Sequence, residues 1–163
     1  VMETPAPEMK PDGKLGKPGA VLFMCGMNSI RSPMAEVIAK HLLPSDIYIQ
    51  SAGVRSGERD PFVDVVLEEI GLSLGRHQPR TMEELEDDFF DLIVTLTPEA
   101  HHQALELTRS QSVDVVYWPT IDPTATAGSR EQIVEAYREV RDHLWRLIGE
   151  RLASRGTPFS GSD

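Results

Sequence analysis

The stretch Ala20-Val21-Leu22-Phe23-Met24-Cys25 is apolar without a break, and Gly26-Met27-Asn28-Ser29-Ile30-Arg31-Ser32-Pro33 follows it. A short apolar run bounded by turn residues reads as a strand buried on both faces, as in the middle of a parallel sheet. Met34, Val37, Ile38 and Leu42 then recur at helical spacing. The segment from Gly26 to Pro33 is therefore a strand-to-helix turn.

Downstream, the alternation continues. Ile47–Gln50 reads as a short strand with Ser51-Ala52-Gly53 after it, and Phe62, Val65, Val66 and Ile70 mark a helix that stops at Gly71. A polar stretch leads into a short acidic turn or helix around Glu83–Asp88. Asp91–Leu96 and Val113–Trp118 read as the third and fourth strands, with a helix from Pro98 to about Leu107 between them. The last helix carries Ile133, Tyr137, Val140, Leu144, Leu147 and Ile148 on one stripe, and Ser129 with Gln132 fits a capping box at its start. Ser32-Pro33, Asp60-Pro61 and Thr97-Pro98 each read as a capping residue followed by proline at the first helical position. Strands alternating with helices imply right-handed crossovers and a parallel α/β sheet covered on both faces.

The chain has 163 residues, of which 40% are hydrophobic, enough for one domain with a real core. That domain spans 18–155, between an N-terminal tail over 1–17 and a frayed tail over 156–163. Lys10, Lys14 and Lys17 before the apolar run faintly resemble a secretion signal ending in a lipidated cysteine. Bulky Phe23 and Met24 before the cysteine, and breakers at Pro5, Pro7, Pro11, Gly13 and Gly16, argue for a flexible tail instead. Acidic residues exceed basic ones to give a formal charge of -10, which argues against a general nucleic-acid binder. No apolar run reaches membrane-spanning length, so no membrane partner is expected. The single cysteine excludes an intrachain disulfide framework and a Cys-rich zinc site, and it suits a reducing cytoplasm.

The chemistry lies in Cys25 and Arg31. A loop of this length can curl until its backbone N–H groups, from Gly26 through Met27, Asn28, Ser29 and Ile30 to Arg31 and Ser32, converge on one anion. The following helix adds its positive dipole end. Arg31 can then grip two oxygens of a tetrahedral oxyanion with its planar fork. The same field favours the thiolate of Cys25, a nucleophile for in-line displacement at phosphorus. Each residue also has a plain structural role available: Cys25 as core filler, Arg31 as a surface residue, Ser32 as a cap. The combination decides between them, because a cation at a helix start is disfavoured unless an anion is present.

Displacement also needs an acid for the leaving oxygen. Asp122-Pro123 follows the fourth strand, and loops after successive parallel strands share one edge of the sheet. Asp60-Pro61 runs straight into helical periodicity, whereas Asp122-Pro123 runs into Thr124-Ala125-Thr126-Ala127-Gly128 and the helix waits until Ser129. Asp122 is therefore the expected proton donor. Asp91 and Asp114 lie near strand starts, at the opposite edge.

The chain resembles the low-molecular-weight protein tyrosine phosphatase family from residue 20 to about 150. The resemblance rests on Val21–Glu36, Ser51-Ala52-Gly53, His77 to Arg80, Asp91-Leu92-Ile93-Val94 and Asp122-Pro123. It implies a four-stranded parallel sheet in order 2-1-3-4 with flanking helices, and no metal or other cofactor. It implies Cys25 as nucleophile, Arg31 as phosphate clamp, Ser32 as a hydroxyl supporting the thiolate, and Asp122 as general acid and then base. Asn28 braces the loop in this picture, with help from His77.

Three departures accompany the resemblance. Ile30 stands where the family usually has a second cysteine, so a protective disulfide with Cys25 cannot form. Met27 stands at a usual glycine, so the loop must do without glycine's freedom there. Thr124, Ala125 and Val54-Arg55-Ser56-Gly57 replace the aromatics that usually wall a deep aryl pocket. The expected function is cysteine-dependent hydrolysis of a phosphorylated protein or small phosphomonoester, with phosphate, sulfate or vanadate as site ligands. Its alternatives are arsenate reduction relieved by an external small thiol, and non-catalytic binding of an oxyanion or phosphoprotein.

Overall fold

The computed structural model describes residues 19–86 and 89–153. The expected tails at 1–17 and 156–163 lie outside these residues, as does the end of the acidic segment at 87–88.

Four strands form one parallel sheet: β1 (Ala20–Cys25), β2 (Tyr48–Gly53), β3 (Leu92–Thr95) and β4 (Asp114–Tyr117), in the order β2-β1-β3-β4. The four main helices are α1 (Arg31–Leu42), α2 (Pro61–Glu68), α3 (Pro98–Leu107) and α4 (Arg130–Ile148). Val21, Phe23 and Cys25 of β1 face one core, built with α1, α2 and α4. Leu22 and Met24 face the other, against Ala100 and Ala104 of α3 and the ring of Phe90. The unbroken apolar run of β1 thus follows from burial on both faces of a central strand. Among the described residues no helix is long and apolar enough to cross a membrane.

Element boundaries differ from the sequence reading in informative ways. β2 runs on through Ser51-Ala52-Gly53, which pair with Phe23, Met24 and Cys25. Hydrophobicity did not mark them as a strand because Ser51 meets polar groups and Gly53 meets close-passing backbone, and only Ala52 joins the apolar core. α2 ends at Glu68, and the chain then turns through Gly71 at φ 79°. The acidic segment forms a short 3₁₀ turn at Met82–Glu84, where the Thr81 amide donates to Glu84.

The capping expectations divide. Asp60 accepts from the Phe62 amide, Thr97 from the Ala100 amide, and Ser129 and Gln132 form the reciprocal box. Ser32 is not a cap. α1 begins at Arg31, two residues before Pro33, and Ile30 precedes it with no side-chain capping bond. The Ser32 hydroxyl is withdrawn from the helix end because it is engaged in the interior, as described below.

Trp118 is buried against Phe23, and Trp145 lies half-buried beside His41. Adjacent His101 and His102 diverge: His101 hydrogen-bonds Thr95 and stacks on Tyr117, while His102 is exposed.

Candidate active site

The turn after β1 curls against the exit of β2. The carbonyls of Cys25, Gly26 and Met27 accept from the amides of Val54, Arg55 and Gly57. In a planar trans peptide the next N–H points opposite to each carbonyl. The N–H groups of Gly26, Met27 and Asn28 are therefore turned to the inner side of the loop. Those of Met27, Asn28, Ser29 and Ile30 find no acceptor among the described residues. A row of amides without a protein acceptor at the mouth of a cavity is suited to an anion.

Close approach at one glycine permits this curl. A Cβ on Gly53 would lie 2.5 Å from the Arg55 carbonyl oxygen and 2.7 Å from the Asn28 nitrogen. Both neighbours are backbone and cannot swing aside.

Asn28 bears the conformational strain of the loop. It has φ 56° and is the residue other than glycine with positive φ among those described. Asparagine tolerates this region better than most side chains. Met27, at the expected glycine position, does not adopt it. Glycine's freedom is thus not needed at that place.

The Asn28 side chain also ties the loop down. Its Nδ2 donates to Ser32 Oγ at 2.8 Å and Ser51 Oγ at 3.0 Å, and its Oδ1 accepts from the Arg80 amide at 3.0 Å. Ser32 Oγ in turn lies 3.0 Å from Cys25 Sγ. The inward Ser32 therefore connects the sulfur to the brace.

Behind the brace lies a buried polar cluster of which the sequence reading singled out only His77 as a support for Asn28. Glu36, 6% exposed on α1, accepts from Ser51 Oγ at 2.5 Å and pairs with Lys40 Nζ at 2.7 Å. Arg80 Nη2 lies 3.5 Å from the same carboxylate, while its Nε donates to the Ser51 carbonyl. His77 Nδ1 is 3.8 Å from Glu36 Oε1 and its ring faces the Asn28 backbone. Burial holds the His77 imidazolium below its ordinary pKa despite the nearby Glu36 charge. The signal for Glu36 was a carboxylate on an otherwise buried helix face, one turn from Pro33.

A cavity of about 100 Å³ opens over this loop, lined by Cys25, Met27, Ser29, Ile30, Arg31, Asp122 and Thr124. Cys25 is 2% exposed. Asn28 and Ser32 are fully buried behind the lining. Arg31 Nη1 donates to the Thr120 carbonyl at 2.9 Å, which joins the turn after β1 to the loop after β4. Asp122 thus reaches the same cavity as Cys25. Asp91 and Asp114 sit at the opposite strand ends: Asp91 accepts from the Gly19 and Ala20 amides, and burial pushes the Asp114 carboxyl up.

The contrast drawn between the two Asp-Pro pairs needs correction. Asp122 is also a cap: its Oδ1 accepts from the Thr124 amide at 2.9 Å, at the start of a 3₁₀ turn over Pro123–Ala125. The sequence reading missed this turn because three residues carry no periodicity. A difference survives in the second oxygen. Asp60 Oδ2 accepts from the Tyr137 hydroxyl at 2.7 Å, whereas Asp122 Oδ2 takes no hydrogen bond among the described residues.

The cavity is walled by Met27 and Ile30 rather than by aromatic rings. Met27 is 46% exposed and lies across Gly57, where a Cβ would be 3.0 Å from Met27 Cβ.

Residues 20–152 match the family model described as low molecular weight phosphotyrosine protein phosphatase. The glutaredoxin arsenate reductase of Synechocystis sp. is 33% identical over 133 residues, covering 82% of this chain and 95% of that protein. The tyrosine phosphatase of Erwinia amylovora superposes with a TM-score of 0.70 at 20% identity, covering 86% of this chain and 95% of that one. An arsenate reductase solved in a phosphate-binding state has a TM-score of 0.62 at 25% identity, covering 80% and 94%. With the sheet order and the family match together, this chain belongs to the low molecular weight phosphotyrosine protein phosphatase family, whose matched members are named both as phosphatases and as arsenate reductases.

Proposed function

We propose that this protein is a phosphomonoester hydrolase working through a phosphocysteine intermediate. The observation that carries the reading is the shared cavity, lined by Cys25, Arg31 and Asp122 together. The inner amides of Met27, Asn28, Ser29 and Ile30 and the guanidinium of Arg31 hold the phosphoryl oxygens. The Cys25 thiolate attacks phosphorus as the P–O bond breaks, and Asp122 gives its proton to the leaving oxygen. Asp122, now a carboxylate, takes a proton from the water that attacks phosphocysteine, and the thiolate and inorganic phosphate are released. Ser32 donates to the departing sulfur, and Asn28, backed by Ser51, Glu36 and His77, keeps the loop curled.

The names of the matched relatives favour a second reading. Arsenate has the shape and charge of phosphate, and Cys25 can attack it in the same way. With one cysteine in the chain, the arsenic adduct finds no internal thiol, so an external one must complete the reduction.

One pair of assays tests both readings. We expect turnover of para-nitrophenyl phosphate, abolished in Cys25→Ser with the fold retained, and little arsenate reduction with glutathione and glutaredoxin present. Arsenate reduction exceeding phosphatase turnover in the same preparation overturns the hydrolase reading.

A further inference from the structure

Thr124 stands where a wall aromatic was expected, and it makes two contacts to one atom. Its amide donates to Asp122 Oδ1 at 2.9 Å and its hydroxyl donates to the same oxygen at 2.7 Å. Both residues line the cavity over Cys25. Oδ2 takes no hydrogen bond among the described residues. A carboxyl with two donors fixed on one oxygen can carry a proton only on the other, since a protonated Oδ1 would have to give up an acceptor site.

We infer that Thr124 is the positioning residue of Asp122, fixing Oδ2 as the oxygen that exchanges the proton and holding the carboxyl in its anionic form between substrates. The inference rests on the reading of Asp122 as the acid and base. In the first step the proton leaves Oδ2 for the leaving oxygen as the sulfur–phosphorus bond forms and the phosphorus–oxygen ester bond breaks. In the second, Oδ2 takes a proton from water as the water oxygen bonds to phosphorus and the sulfur–phosphorus bond breaks. The two steps need opposite protonation states of one group, so the hydroxyl of Thr124 biases one against the other. It favours the base form.

The electrostatic balance agrees in direction. Burial works to raise the Asp122 carboxyl, but the two Thr124 hydrogen bonds and the Arg31 charge outweigh it and leave it below the usual carboxylate range. The comparison within the chain agrees as well. Asp60, the other Asp-Pro cap, has both oxygens occupied, by the Phe62 amide and the Tyr137 hydroxyl, and offers no free oxygen.

The test uses the full chain with Thr124→Val, which keeps the shape and loses the hydroxyl, and Thr124→Ser, which restores it. Thr124 is exposed, so neither change disturbs the core. The first readout is the carbon-13 titration of the Asp122 carboxyl, assigned by its loss in Asp122→Asn. A hydrogen bond to a charged group corresponds to a shift of about one pH unit or more. The midpoint is expected to rise by that amount in Thr124→Val and to return to the wild-type value in Thr124→Ser. An unchanged midpoint in Thr124→Val, or a Ser variant that titrates like Val, overturns the inference.

The second readout is single-turnover phosphorylation from phenyl phosphate across pH. Its high-pH limb should move up with the carboxyl midpoint in Thr124→Val. A midpoint that moves while the limb stays in place supports the control by Thr124 and removes Asp122 as the acid. The two failures are thereby told apart.

Discussion

Arg31 Nη1 donates to the carbonyl of Thr120 at 2.9 Å, across 89 positions of sequence. One arm of the guanidinium is therefore spent on the loop that carries Asp122, while Arg31 also lines the cavity. In the proposed mechanism the same side chain both clamps the phosphate and ties the Cys25 loop to the loop of Asp122. Arg31→Lys should fail in both tasks, because an ammonium cannot bond a carbonyl and two phosphate oxygens in one plane. We expect a loss in kcat/KM of roughly 10- to 100-fold, as for one charge-assisted hydrogen bond. Weaker competitive inhibition by inorganic phosphate should accompany it. A Lys variant with wild-type phosphate affinity contradicts the clamp.

Asn28 separates a backbone demand from a side-chain demand. Its φ of 56° is costly for alanine and free for glycine, while both replacements lose the bonds to Ser32, Ser51 and Arg80. Asn28→Ala should therefore be less stable than Asn28→Gly by about 1–2 kcal/mol, the cost of the left-handed conformation. Both should lose most of the turnover, since the loop is no longer held. Equal stabilities in urea denaturation would mean that the loop relaxes out of the left-handed region on its own.

The path for oxidants to Cys25 is the same cavity. Cys25 is 2% exposed, and the chain has no other cysteine to trap a sulfenic acid. Peroxide should inactivate the protein, and saturating phosphate should slow the inactivation by filling the cavity. Prolonged treatment should carry Cys25 to sulfinic acid, which dithiothreitol does not reverse. Intact-mass measurement should show a gain of two oxygens that tracks the unrecovered activity. Full recovery after long exposure would point to protection by a sulfenamide or by a disulfide between chains.

How far the site was legible in the sequence depended on what each residue answers to. β1 was legible because burial on both faces writes a continuous apolar run. Cys25 and Arg31 were legible because their spacing matches one turn from strand to helix. Ser32 was misread as a cap because a serine before proline has the same local pattern whether its hydroxyl turns to the helix end or to a sulfur; Asn28 and Cys25 decide it. Glu36 was missed because its partners Ser51, Arg80 and His77 come from three later segments. Gly53 was quoted without a role, since the close pass of Asn28 and Arg55 exists only after folding. Periodicity reports burial, but it is silent on where buried hydrogen bonds end.

Asp122 offers the sharpest separation of mechanism from structure. Burial raises its carboxyl, and the Thr124 bonds and Arg31 charge more than offset that, so at neutral pH it is a carboxylate in the free protein. Its acid form grows as pH falls. In the proposed mechanism a bound phosphate dianion offsets the charge of Arg31 and pulls the carboxyl back up, toward the acid form that the first step needs. The phosphorylation step with a poor leaving group should therefore speed up as pH falls toward the Asp122 range. Asp122→Asn should flatten that dependence and slow phenyl phosphate by about 10²–10⁴-fold, the usual worth of general acid help. Para-nitrophenyl phosphate should lose much less in the same step, because its leaving group is stable without a proton. Single-turnover phosphorylation isolates this step from the proposed hydrolysis of phosphocysteine, in which Asp122 would act as base for both substrates. Equal losses for the two substrates in that step would reduce Asp122 to a turn cap like Asp60.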